Sequence, residues 1–215
     1  MKSSKQFVPI FAVAAILAAA SAQAAHVDMK DPRRALGRED DIRVDAQLFQ
    51  DSVANNSPLN VTYQIQNLTA SPIAIADRVA SVSYDEDSQT ITLSIGAEVP
   101  DTNMPHLVVI APGAKKTLTS GGVFNAPVAN SRLARVPQYF QVRVNVLRDL
   151  TPFRDLIARQ TGQTIASVPL PTALFDKWLD SNDTIECNVI PVRWNAGGGP
   201  KDVPTAEQRT PAGTW

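Results

Sequence analysis

The chain has 215 residues, 20 basic and 21 acidic side chains for a formal net charge of −1, 44% apolar residues and one cysteine. That length holds one substantial domain with its own apolar core, or else two small ones. The near-neutral charge leaves no electrostatic footprint for nucleic acid or an anionic membrane, and a lone cysteine excludes an internal disulfide.

Residues 1–24 read as an export signal. Lys2 and Lys5 precede an apolar stretch from Phe7 to Ala20, and Ser21-Ala22-Gln23-Ala24 places small residues where a signal peptidase cuts. A bilayer span needs about 20 apolar residues; this stretch is shorter and Pro9 interrupts its start. Cleavage after Ala24 leaves 191 of the 215 residues and, by removing two lysines and no acid, takes the charge from −1 to −3. No later segment has the pattern of a transmembrane span. The expected compartment is periplasmic or extracellular, where disulfides persist. With none available, stability has to come from buried apolar surface.

Residues 25–41 are polar, with Asp31-Pro32-Arg33-Arg34 and Arg38-Glu39-Asp40-Asp41, and read as a flexible leader. Ile42, Val44, Ala46 and Leu48 then alternate with polar residues, the period of a strand with one buried face. A turn cluster follows at Asn55-Asn56-Ser57-Pro58. Val61, Tyr63 and Ile65 alternate with Thr62, Gln64 and Gln66, and Asn67 to Pro72 supplies turn chemistry. Ile73 and Ile75 begin a short strand. Val82 and Tyr84 lead into the polar tip Asp85 to Gln89, and Ile91, Leu93 and Ile95 lead out, which predicts a hairpin.

Leu107 to Ile110 is an apolar strand run ended by Pro112-Gly113. Lys116 to Thr119 reads as a short strand broken at Gly121-Gly122, and residues 121–137 read as irregular. Phe140, Val142, Val144 and Val146 alternate cleanly, and a last strand covers Ile185 to Trp194, with Pro191 arguing for an edge or a bulge.

The segment 148–184 has a different character. Thr151-Pro152 offers an N-cap and a proline at the first helical position, Phe153, Leu156 and Ile157 share a helical face, and Gly162 is a stop. Leu174, Phe175, Trp178 and Leu179 form a second helical stripe that ends at Asp180-Ser181-Asn182-Asp183. Residues 195–215 open on three glycines and show no periodicity, which predicts a disordered tail. Short strands with one-sided burial and turns of Asn, Ser, Pro and Gly predict a mainly β domain over 42–194: two packed antiparallel sheets with a short two-helix insertion before the last strand.

The segment Leu59-Asn60-Val61-Thr62-Tyr63-Gln64-Ile65-Gln66-Asn67, with Pro72-Ile73-Ala74-Ile75 after it, resembles an early strand pair of immunoglobulin-like or fibronectin-type-III-like modules of exported bacterial proteins. Ile110-Ala111-Pro112-Gly113-Ala114-Lys115-Lys116-Thr117 is similar to the proline-glycine turn before a strand in such modules. The resemblance implies an immunoglobulin-like sandwich and brings no catalytic residue with it. The paired cysteines around a core tryptophan that mark antibody domains are absent.

Candidate chemistry is sparse. His26 and His106 are the two histidines, and His106, before an apolar run, reads as a strand-edge structural residue rather than a general base. His-Glu-x-x-His, Gly-x-Ser-x-Gly, Walker and Cys-x-x-Cys motifs are all missing. Asp85-Glu86-Asp87 offers oxygen ligands for calcium but lacks EF-hand spacing, so a solvated hairpin tip is the plainer reading. Gly197-Gly198-Gly199 reads as a linker rather than a phosphate cradle. Asn55, Asn60, Asn67 and Asn182 begin glycosylation patterns that matter only in a glycosylating source, and the alanine-rich signal looks bacterial. Cys187, between Ile185 and Val189, reads as a core residue. No residue is assigned to catalysis, a cofactor or a metal.

The insertion is the one candidate interaction region. Phe153, Leu156, Phe175 and Trp178 form either a partner-binding surface or the underside of a cap on the sandwich. The expected function is a non-catalytic exported module of the bacterial cell envelope that binds a protein partner or contributes to a structure. The alternatives are an exported enzyme inhibitor or chaperone-like protein, and a carboxylate-based hydrolase.

Overall fold

The structure is a computed structural model and describes residues 30–31, 33–97, 106–125, 135–160 and 172–195. The expected signal peptide, the tail from 196, Gly162 and His26 lie outside the described residues. In chain order the first strands are β1 (Arg34–Glu39), β2 (Ile42–Leu48), β3 (Ser52–Val53), β4 (Ser57–Asn67), β5 (Ile73–Ala76), β6 (Ala80–Asp85) and β7 (Thr90–Ile95). Then come β8 (Leu107–Ile110), β9 (Lys115–Phe124) and β10 (Tyr139–Leu147). A single 3₁₀ turn (Thr151–Phe153) leads into α1 (Arg154–Gln160) and α2 (Thr172–Ser181), and the chain returns through β11 (Asn182–Glu186), β12 (Ile190–Pro191) and β13 (Arg193–Trp194).

The protein is mainly β. One sheet has the order β1-β2-β4-β9, every pair antiparallel. The other runs β6-β7-β10-β5-β8, with β11 and β12 also paired to β10, and β3 and β13 form a two-stranded sheet. The alternating residues meet between the large sheets: Ile42, Val44, Ala46 and Leu48 of β2 and Leu59, Val61, Tyr63 and Ile65 of β4 share one core with Ile91, Leu93 and Ile95 of β7 and Phe140, Val142, Val144 and Val146 of β10. Because side chains alternate across a strand, the same spacing that predicted these strands also selects the inward face.

Four expectations are corrected. Residues 34–39 of the expected leader form β1, paired with β2 through a two-residue turn in which Asp40 and Asp41 adopt φ of 40° and 62°, left-handed values that aspartate tolerates. The strand was hidden because the residues it turns inward are Ala35 and Gly37, too small to mark an apolar face. Gly121-Gly122 does not break a strand but lies inside β9: a Cβ on Gly121 would sit 2.5 Å from the Leu59 carbonyl oxygen, and one on Gly122 2.6 Å from Val82 Cγ2 of the opposite sheet. The glycines are there for close approach. Pairing is not uniformly antiparallel, since β7 and β10 run parallel, as do β3 and β13. The chain passes through β8 and β9 between β7 and β10, so strands of the fold itself make the crossover that a helix makes in α/β proteins. The last strand is three short pieces, interrupted at Cys187–Val189 and again at Val192.

The helices pack on the outer face of the larger sheet. Ala74 and Ala76 of β5, Leu107 of β8 and Leu147 of β10 meet Phe153, Leu156 and Trp178 in a second apolar cluster. Alternation sends Ile73 and Ile75 to the main core and leaves the two alanines outward, where their small size lets the helices come close. Among the described residues no helix is long and apolar enough to cross a membrane.

Candidate functional site

Three of the four residues singled out in the insertion are buried. Phe153 is 0% exposed, Trp178 1% and Leu156 5%, and the Phe153 and Trp178 rings meet edge to face with centroids 5.9 Å apart. In this chain they fasten the helices to the sheet. Phe175 is 36% exposed and, with Leu179 one turn on at 57%, makes the solvent-facing apolar pair of α2.

The ends of the sheets differ in how they are closed. At β1, the Leu36 N–H donates to Asn188 Oδ1 at 2.6 Å and the Leu36 carbonyl accepts from the Asn188 N–H at 2.9 Å. Asn188 thus acts as one residue of a missing strand and joins the four-stranded sheet to the loop between β11 and β12. At β8, which ends the other sheet, the Leu107 N–H donates to the side-chain Oε1 of Gln160, the last residue of α1, at 2.9 Å. That bond shows Leu107 turning its peptide outward, and the alternation of an antiparallel ladder turns Val109 the same way. Val109 is 38% exposed. Sequence identified β8 as apolar but not as the terminal strand, because sheet order depends on remote partners.

The outward face of the four-stranded sheet is polar and ordered in rows. Strand register places Arg38, Arg43, Gln66 and Lys115 in one row, Leu36, Asp45, Gln64 and Thr117 in the next, and Arg34, Gln47, Thr62 and Thr119 in a third. Asp45 is only 5% exposed, held by Arg34 Nη2 at 2.7 Å and Arg43 Nε at 3.0 Å, so its burial is compensated by two cations. Beside this face, the Asp31 carboxylate accepts from the Arg33 guanidinium and backbone N–H and from the Gln47 amide. Those donors, Arg33 above all, hold its carboxyl well below the usual carboxylate range.

A fourth row continues past the end of β2. The Phe49 N–H donates to the Asn60 carbonyl at 3.0 Å, and Asn60 lies opposite Gly121. The missing side chain at Gly121 leaves an open depression of about 430 Å³ lined by Phe49, Asn60, Val61, Thr119, Ser120 and Gly121. Phe49 is 54% exposed. On the other side of the Phe49–Asp51 segment, a smaller depression of about 310 Å³ includes Arg33, Asp51 and Arg193.

The remaining candidates have structural partners. His106 Nδ1 lies 2.8 Å from Asp77 Oδ1 and ties the start of β8 to the turn after β5. In the hairpin tip, Asp85 accepts from the Asp87 N–H and the Ser88 hydroxyl, and Asp87 pairs with Arg135. Among the described residues no three metal-ligating side chains converge. Cys187 is buried, and loss of water around its thiol, with the negative charge of Asp45 adding to it, pushes its pKa up to about 12. Comparison of the chain with family models, with curated proteins and with solved structures returns no match.

Proposed function

We propose that this is a non-catalytic, exported module of the bacterial cell envelope, an immunoglobulin-like sandwich that binds another protein by accepting a strand of that partner along β8. The observation that carries the reading is the outward-turned Val109 on the strand that ends its sheet among the described residues. An open strand edge presents N–H and C=O groups in the spacing of an incoming strand, so main-chain hydrogen bonds supply affinity and the exposed side chain supplies selectivity. Of the two bounding strands compared above, β1 has both polar groups of Leu36 taken by Asn188, whereas on β8 Gln160 takes the N–H of Leu107. An inhibitor of an exported enzyme would use the same edge with a single enzyme as its partner.

The test is site-specific photo-crosslinking in the native compartment. A crosslinker at position 109 is expected to capture a discrete partner, one at Glu86 on the hairpin tip is expected to capture none, and Val109→Lys is expected to abolish the adduct formed from a neighbouring crosslinker at position 111. Equal labelling from positions 109 and 86, or an adduct indifferent to Val109→Lys, rejects the edge as the binding site.

A further inference from the structure

We infer that the depression beside Phe49 binds one ring of an uncharged saccharide. It is separate from the β8 edge and draws on different residues. A pyranose ring presents an apolar C–H face and a rim of hydroxyls, so a complementary site needs an exposed aromatic surface next to uncharged donors and acceptors. Phe49 provides the first, with more than half of its surface open to solvent. Asn60 and Thr119 provide the second, an amide that both donates and accepts and a hydroxyl that does the same.

Three features of the site support this ligand class. Its volume of about 430 Å³ falls within the range of small-molecule sites. None of its six lining residues carries a formal charge, although the far row of the same sheet face holds Arg38, Arg43 and Lys115; an anionic ligand would be drawn to that row. The shape is also built into the backbone. Gly121 cannot carry a side chain, because its Cβ would lie 2.7 Å from Asn60 Oδ1 as well as against the Leu59 carbonyl, and the Phe49 backbone is held at both ends, its N–H by the Asn60 carbonyl and its carbonyl by Arg33 Nη1 at 2.8 Å. The ring is therefore available to a ligand while the site keeps its form.

The experiment is titration of the full mature chain with neutral cello-, chito- and manno-oligosaccharides, followed by calorimetry and by amide chemical shifts. At least one of these is expected to bind with a Kd of about 1 mM or tighter, moving the amides of Phe49, Asn60 and Thr119. Phe49→Ala is expected to weaken binding about tenfold, from lost ring area and stacking, and Thr119→Val to weaken it less. Both variants are expected to keep the wild-type melting temperature, since both side chains are exposed. Binding of the neutral sugar is expected to be insensitive to added salt, because no ion pair is formed. Failure of every neutral oligosaccharide to bind at ~10 mM, equal affinity in wild type and Phe49→Ala, or tighter, salt-sensitive binding of oligogalacturonate would each overturn the assignment.

Discussion

Between the two large sheets, every second residue of β2, β4, β7 and β10 enters a single core, whereas the cluster under α1 and α2 takes only one or two residues from each element it touches. Both exclude water with the same kinds of side chain. Their tolerance should differ. A residue in the middle of the first core is enclosed by strands that are hydrogen-bonded in place, so a void left there cannot collapse. A residue under the helices is covered by two short segments, and α1 has only seven residues, so the cover can settle into the gap.

Substitutions in the two regions measure that difference. Phe140→Ala, at a fully buried residue of the main core, is expected to cost about 4 kcal/mol, and urea unfolding should show it as a lower midpoint. Trp178→Ala removes a larger side chain but is expected to cost less, about 3 kcal/mol, because α2 can shift toward Ala74 and Ala76. Equal or reversed costs in the same urea series would erase the distinction between the rigid and the yielding region.

A pH series sharpens the comparison by adding a part of the molecule held by charge. The Asp31 carboxyl is held below its ordinary value in the folded protein, so its contribution is fully present above about pH 4 and is lost as pH falls toward the depressed value. Asp31→Asn should therefore lower stability near neutrality and flatten the acid limb of the stability curve. An unchanged acid limb would show that the Arg33 partnership contributes nothing. The smallest effect is expected for Phe175→Ala on the solvent side of α2, below about 0.5 kcal/mol; a cost near that of Trp178→Ala would mean that the exposed face of the helix is covered by something further.

Much of this architecture was legible. Ile42 to Leu48, Val61 to Ile65, Ile91 to Ile95 and Phe140 to Val146 each carry the alternation, and all four lie in strands whose apolar side faces the core. The second helix ends at Ser181, inside the predicted Asp180–Asp183 stop. The candidate sites were harder to read. The helical stripes of Phe153, Leu156 and Trp178 look the same whether they meet a partner or their own sheet, and the outward Ala74 and Ala76 that receive them lie some 80 to 100 residues away. Phe49 carried no signal because the depression it lines is opened by a glycine in another strand.

For β2, β4, β7 and β10 the sequence by itself determined the strand and its buried side, and it placed the two helices that interrupt the pattern, since these follow from local period and turn chemistry. Tertiary structure alone decided that β1 exists despite its small inward residues, that β9 runs through Gly121-Gly122, that β7 lies parallel to β10 and that β8 is the last strand of its sheet among the described residues. Each of those depends on a surface supplied by a distant part of the chain, and no window of neighbouring residues carries that information.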